Sequence, residues 1–259
     1  MKSVVFLDLD GTFWKYGQVP ASALEAVRRA QANGHLVFSN TGRSRGETPD
    51  LVRYGLDGRC YAVGNEIYLG EQRIFDQPLG MTRAREIFRA LEGVGVVIAE
   101  GGERCYIHDY TQGFLAELRA QLEAHGEYIL RQPDTDEMVD EDFAQVYKYS
   151  VYPEGGLEAL RALPLPPDMV LTPMTRAAEI TQSGCDKGVA LKRVLDYLGG
   201  SFRSVALGDS DNDIPMFEAA DVAVAMGNAT PAARAHADVM TARIEEDGLA
   251  KAFDQLGLL

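Results

Sequence analysis

Asp8 and Asp10 stand two residues apart in Asp8-Leu9-Asp10-Gly11-Thr12, directly after the apolar run Val4-Val5-Phe6-Leu7. A carboxylate at the end of a strand can bind Mg2+, which takes oxygen ligands and keeps several waters. It can also attack phosphorus as a nucleophile. A second carboxylate two residues on can protonate a leaving oxygen and later activate water. The same pair also suits an Asx turn or a helix cap, so by itself it leaves both readings open.

A second acidic cluster, Gly208-Asp209-Ser210-Asp211-Asn212-Asp213, again follows an apolar strand. So many carboxylates and amides in one short loop are costly to gather without a cation. Calcium is the rival to magnesium here, but the loop lacks the Gly and terminal Glu spacing of a helix–loop–helix calcium site. Thr41 ends another apolar segment, and Gly42 after it lets a ligand approach the backbone. Thr41 also suits an N-cap, which is compatible with phosphate binding at a helix start. Lys187 opens a helix after Gly184-Cys185-Asp186. Alone it would be a solvated surface charge, and its value lies in its fit with the other clusters.

The elements that must position these residues follow from periodicity. Val4–Leu7 and Leu36–Phe38 read as buried strands, with a helix over 20–33 between them that stops at Gly34. The pattern returns with a helix over Lys187–Leu198, a strand over Ser204–Leu207 and another near Val222–Ala225. Strand–helix–strand alternation predicts a parallel sheet with crossover helices. The middle reads differently. A helix is expected over Met81–Leu91, hairpin strands at Val96–Ile98 and Arg104–Ile107, and a helix over Phe114–His125. An acidic, turn-rich connection runs from Pro133 to Asp142. Strands are then expected at Val146–Tyr152, Met169–Leu171 and Ala178–Thr181, with a helix near Leu157–Leu163 that Pro164, Pro166 and Pro167 end.

The 259 residues suit one large or two modest domains, and 46% hydrophobic with 25% charged residues is ordinary for a globular chain. Acidic residues outnumber basic ones 39 to 25, a net charge of -14, which speaks against a nucleic-acid or anionic-membrane surface. An anionic small substrate stays open, because one metal ion and a few local cations can reverse the potential in a cleft. Cys60, Cys105 and Cys185 are widely spaced and read as reduced, mostly buried thiols. The apolar stretch before Asp8 is too short for a signal peptide, and no segment is long enough to span a bilayer, so a cytoplasmic protein is expected. A monomer or weak homodimer is the expected state.

The ordered set of motifs resembles the haloacid dehalogenase superfamily of phosphohydrolases. Asp8-Leu9-Asp10-Gly11-Thr12 is similar to its first motif, Thr41-Gly42-Arg43 to the second, Lys187 to the third, and Gly208 to Asp213 to the fourth. Ala225-Met226-Gly227-Asn228-Ala229 and Glu246-Asp247-Gly248-Leu249-Ala250 resemble segments of its Cof-like branch. The resemblance implies a Rossmann-like doubly wound core, residues 1–80 and 184–259, with a smaller inserted α/β cap over 81–183. It implies an Mg2+-dependent phosphatase acting on a small phosphorylated metabolite, a sugar phosphate foremost, through an aspartyl-phosphate. Asp8 would then be the nucleophile and a metal ligand. Asp10 would be the general acid/base and would ligate metal through its backbone carbonyl, with Asp209 as the third ligand. Thr41, Gly42, Lys187 and Asn212 would hold the phosphoryl group, supported by Arg43 and Asp213.

Two departures stand out. Gly64-Asn65-Glu66 replaces the Asn-Gly-Ala frequent in relatives, making Glu66 a candidate to face the cleft, and Phe13 stands where Leu is usual. Tyr106, Tyr110, Tyr149 and His108 are expected to be structural rather than ligand contacts. Two other functions share the scaffold. A phosphomutase would be stimulated by a sugar bisphosphate, and a non-catalytic metabolite sensor would release no phosphate from any substrate.

Overall fold

The structure, a computed structural model, describes residues 1–15, 18–48, 51–111, 113–124, 137–174 and 176–259. Along the chain come β1 (Ser3–Leu7), α1 (Ala21–Ala32), β2 (Leu36–Asn40), β3 (Gly58–Tyr61), β4 (Glu66–Leu69), β5 (Gln72–Asp76) and α2 (Met81–Ala90). Next are β6 (Gly95–Gly101), β7 (Cys105–Asp109), α3 (Phe114–Ala124), α4 (Asp140–Phe143), β8 (Val146–Pro153), β9 (Met169–Pro173) and β10 (Ala178–Gln182). The chain closes with α5 (Lys187–Leu198), β11 (Arg203–Gly208), α6 (Ile214–Ala219), β12 (Val222–Ala225), α7 (Pro231–Ala235), β13 (Val239–Met240) and α8 (Gly248–Gln255). His125 as a helix end and Pro133 as the start of the acidic connection lie outside the described residues.

Two compact units result. The first comprises Met1–Arg43, Pro49–Asp76 and Cys185–Leu259; the second comprises Ser44–Thr48 and Gln77–Gly184. In the first, eight strands form one sheet in the order β13-β12-β11-β1-β2-β3-β4-β5. β1 pairs in parallel with both β11 and β2, and the parallel pairing extends outward to β13 and β3. Along β1 the side chains alternate between two cores. Val5 and Leu7 pack with Val27 of α1 and Phe253 of α8, while Val4 and Phe6 pack with Leu191 of α5 and Phe217 of α6. Helices thus cover both faces, as near-continuous apolar strands require. β4 and β5 add antiparallel strands at one edge that the periodicity of the sequence did not predict. Half-buried Tyr68 and the partly exposed β5 explain the weak signal.

The second unit is a five-stranded antiparallel sheet in the order β7-β6-β8-β10-β9. One face packs Val97, Ala99, Tyr149 and Ile180 onto Ala84 and Ile87 of α2. Tyr106 and Tyr149 are buried in this core, Tyr149 donating to the Ala84 carbonyl at 2.7 Å. His108 packs against Tyr110 with ring centroids 4.0 Å apart and ring planes tilted by 59°. The expected helix near Leu157–Leu163 is a single 3-10 turn, Leu157–Leu160. Ser44–Thr48 joins this unit because the Ser44 amide donates to Glu100 (3.3 Å) and the Gly46 amide to the Gly101 carbonyl (3.1 Å). A Cβ on Gly46 would lie 2.6 Å from the Arg104 backbone.

The other face of that sheet carries buried charge. Lys148 lies 3.4 Å from Glu100 and also pairs with Glu179, while Ser150 donates to Glu100. Burial pushes the Glu100 carboxyl up to about 8 despite the lowering effect of Lys148, and the carboxylates hold the Lys148 ammonium above its usual range against its own burial. Removing one partner of such a pair strands the other without solvent. We expect Lys148→Met to destabilise the protein by about 3–5 kcal/mol, and Lys148→Met with Glu100→Gln to recover much of that loss. Urea unfolding followed by circular dichroism provides the double-mutant cycle; strictly additive losses would show the pair uncoupled.

Candidate active site

β1 is where the strand order of the first sheet diverges, toward β2 on one side and β11 on the other. Ligands of open α/β sheets gather outside the carboxyl ends of strands at such a switch point. Asp8 immediately follows β1 and Asp209 immediately follows β11, so two strand ends held in register bring both carboxylates together. The loop after β1 turns back sharply, the Phe13 and Trp14 amides both donating to the Leu9 carbonyl. Gly11 makes the turn possible. Its φ is +86°, and a Cβ there would lie 2.3 Å from Asp209 Oδ2.

Lys187 is the centre of the charge arrangement. It opens α5, whose N-cap Asp186 accepts from the Val189 amide at 2.7 Å, and its side chain is 1% exposed. Its ammonium donates to Asp8 Oδ1 (2.6 Å), Asn212 Oδ1 (2.8 Å) and Asp213 Oδ1 (2.5 Å). All three donor positions are used. Asp213 in turn accepts the Asp209 and Ser210 amides at 2.8 and 2.9 Å on Oδ2, shaping the loop that carries Asp209. Asn40 fixes the Lys187 carbonyl from below at 2.8 Å.

Carboxylate oxygens of Asp8, Asp209 and Asp213 lie within 4.8 Å of one another. Burial, which the Lys187 charge only partly offsets, raises the Asp8 carboxyl well above its usual range, with Asp213, Asp209 and Asp10 adding to the rise. Burial and Asp213 together push Asp209 up to about 7. Asp209 Oδ1 is buried and has no hydrogen-bond partner among the described residues. Surplus negative charge beside an unpartnered carboxylate oxygen fits a divalent cation, for which Asp8 and Asp209 offer free oxygens. Asp213 supplies the third carboxylate of the cluster, although its oxygens already serve Lys187 and two amides.

Asp10 sits apart. Burial would raise its carboxyl, but Arg43 overrides this and holds it below the usual range, helped by Trp14. Arg43 Nε and Nη2 reach its two oxygens at 2.7 and 3.1 Å, and the Trp14 indole donates at 3.1 Å. Thr41 starts no helix. Its hydroxyl accepts from the Arg43 amide at 3.1 Å, so the N-cap reading gives way to a local turn. That turn is braced from β3 onward, the Ala62 amide donating to the Arg43 carbonyl (2.7 Å) and the Val63 amide to the Thr41 carbonyl (3.1 Å). Ala62 and Val63 adopt φ of 48° and 51°, an uncommon conformation for side-chain-bearing residues and especially for a β-branched one. Glu66 is fully buried and accepts from the Tyr68 hydroxyl at 3.0 Å, with Arg73 at 3.8 Å. Phe13 is buried edge-on to Tyr54.

The structure therefore gathers Asp8, Lys187, Asp209, Asn212 and Asp213 directly, and joins Asp10 to Arg43. The sequence alone gives Trp14, Ala62, Val63 and Asn228 no site role. The dipeptide after a DxD loop and a Gly-containing turn carry no signal specific to these contacts.

Fold and site define the class, an α/β enzyme whose carboxylates meet at a sheet switch point. The chain belongs to the haloacid dehalogenase-like hydrolases, whose family model matches residues 5–253. It is 28% identical over 271 residues to YkrA of Bacillus subtilis (strain 168), a candidate phosphatase, covering 99% of this chain and 98% of that protein. It is 46% identical over 74 residues, 28% of this chain and 27% of the other, to the 5-amino-6-(5-phospho-D-ribitylamino)uracil phosphatase YitU of the same organism. A solved subclass IIB sugar phosphatase superposes with a TM-score of 0.80 at 24% identity, covering the whole of both chains. No helix among the described residues is long and apolar enough to cross a membrane.

Proposed function

We propose that the protein is an Mg2+-dependent phosphatase that hydrolyses a small phosphorylated metabolite through an aspartyl-phosphate on Asp8. That it is a phosphoric monoester hydrolase follows from its family and from the phosphatases it resembles. The observation that carries the mechanism is the contact of buried Lys187 with Asp8, Asn212 and Asp213 beside the unpartnered Asp209 oxygen. A divalent cation bound there would neutralise phosphoryl oxygens and lower the repulsion between Asp8 and the substrate. Asp8 and Asp209, with the Asp10 carbonyl, would hold it.

An oxygen of Asp8 attacks phosphorus while the bond from phosphorus to the leaving oxygen breaks. Asp10 gives that oxygen its proton. Arg43 keeps Asp10 ionised in the structure described, so proton delivery requires Asp10 to leave its Arg43 contact and take up a proton from solvent before it meets the leaving group. Water then attacks phosphorus, Asp10 takes its proton, and Asp8 is released with inorganic phosphate. Thr41, Asn212 and the Gly42 amide bind the transferring phosphoryl oxygens, and Lys187 joins them by giving up one of its three present contacts. Catalysis there is mostly positioning and charge neutralisation. The second unit acts as the cap that reads the leaving group. A phosphorylated sugar or polyol is the proposed substrate class, supported by the ribityl substrate in the name of YitU.

Phosphate release over a panel of sugar, polyol, nucleotide and two-carbon phosphates tests this reading. We expect turnover with Mg2+, and rates at least about tenfold lower when Ca2+ replaces it, because calcium takes longer bonds and more ligands and favours bidentate carboxylates. Equal rates with both ions would overturn the magnesium assignment. No release from any of the phosphates would overturn the function.

A further inference from the structure

The segment Ala225–Ala229 resembles part of the Cof-like branch, and the mechanism above gives it no task. It passes directly over the centre. The Met226 amide donates to the Gly208 carbonyl at 3.0 Å, the Gly227 amide to the Ala242 carbonyl at 2.9 Å, and the Thr230 amide to the Asp209 carbonyl at 2.8 Å. Gly227 is confined, since a Cβ there would lie 2.5 Å from the Arg243 nitrogen. Between these anchors Asn228 directs its side chain at the acidic loops. Its amide nitrogen donates to Asp209 Oδ2 (2.9 Å) and to the Gly11 carbonyl (2.9 Å), and its carbonyl accepts from the Ile244 amide (3.1 Å).

These partners determine the amide's orientation. A carboxylate and a backbone carbonyl can only accept, and a backbone N–H can only donate, so the reversed amide would lose all three bonds. One Asp209 oxygen is thereby occupied by a neutral donor, while the other, Oδ1, is buried and unpartnered. A carboxylate at this position would repel Asp209, and a lysine would compete with any cation. The amide does neither.

We propose that Asn228 is a positioning residue that locks the Asp209 carboxylate so that a single oxygen is offered to the divalent cation, favouring small octahedral ions over calcium. The inference rests on the divalent-cation reading above. Mg2+ demands near-ideal octahedral geometry, whereas Ca2+ accepts both oxygens of one carboxylate. A carboxylate tied by one oxygen to Asn228 presents one ligand atom. Released, it can rotate and present two. Partners that orient ligands in this way are typically worth about 10–100-fold in metal affinity.

The test uses Mn2+ as a paramagnetic stand-in for Mg2+. Free Mn2+ is counted by electron paramagnetic resonance in titrations of the whole protein without substrate, and Ca2+ affinity is obtained by competition. For Asn228→Ala, Mn2+ binding is expected to weaken about 10–100-fold with Ca2+ affinity changing less, so that the Mn2+/Ca2+ preference falls. A purely structural role for Asn228 would lower thermal stability without altering that preference. If Asn228→Ala does not fold, Asn228→Ser, which keeps one donor, carries the same measurement with a smaller expected loss. A folded variant whose Mn2+ affinity and Mn2+/Ca2+ preference match wild type would overturn this inference alone. Wild-type protein that binds no Mn2+ would overturn the cation reading and this inference with it.

Discussion

Asp8→Asn is expected to lower kcat/KM by at least about 10^4-fold while leaving the fold intact, a loss of about 5.5 kcal/mol of transition-state stabilisation. The amide matches the carboxylate in shape and its oxygen can still accept the Lys187 bond, but it cannot attack phosphorus. Stability should move the other way or not at all. The Asp8 carboxyl is raised by burial and by three neighbouring acids, so its charge opposes folding of the metal-free protein except where Lys187 compensates. An active-site group that costs stability and supplies activity follows the usual trade-off. The check is phosphate release together with thermal unfolding in chelator. Activity within a factor of ten of wild type would remove Asp8 from the nucleophile role.

Lys187→Met should damage both properties. The ammonium is 1% exposed, makes three charge-assisted or polar bonds, and is held above its usual range by Asp213 and Asp8 despite its own burial. Without it, Asp8, Asp209 and Asp213 face one another within 4.8 Å and have no resident cation. We expect a stability loss of about 3–5 kcal/mol, as when one partner of a buried ionic group is removed. Turnover should fall by about 10^3-fold or more for every substrate, since the lost charge acts on the phosphoryl group and not on the leaving group. Millimolar Mg2+ should restore part of the stability and little of the activity, because binding to the native state alone is stabilising by mass action. Urea unfolding with and without Mg2+ separates these effects. Unchanged stability in chelator would show that Lys187 does not hold the acidic cluster together.

Part of the candidate site could be read from the chain because it follows from local rules. Val4–Leu7 and Ser204–Leu207 are apolar, β-rich runs that end in acidic loops, and strands in a parallel sheet carry such loops to one edge. Lys187 begins a helix whose N-cap and periodicity are written in adjacent residues. These features carry Asp8 and Asp209 to the same edge of the sheet, while Lys187 is joined to them in the sequence only by the resemblance of the ordered motifs.

Contacts between distant residues depended on the tertiary structure. Asn228 reaches Gly11 across 217 positions and Lys187 reaches Asp8 across 179, distances over which propensity and periodicity say nothing about side-chain direction. Trp14 finds Asp10 only because the Leu9 carbonyl closes the loop into a tight turn. The left-handed Ala62 and Val63 contradict their own residue preferences and persist through hydrogen bonds to the Thr41–Arg43 turn. Likewise, Ser44–Thr48 follows a first-unit motif in sequence yet joins the second unit, because Glu100 and Gly101 satisfy its amides. Sequence determined which groups could do the chemistry and which strand ends would carry them. The tertiary structure decided which oxygen of each carboxylate is occupied and which is left free, because that depends on donors brought in by packing from remote parts of the chain.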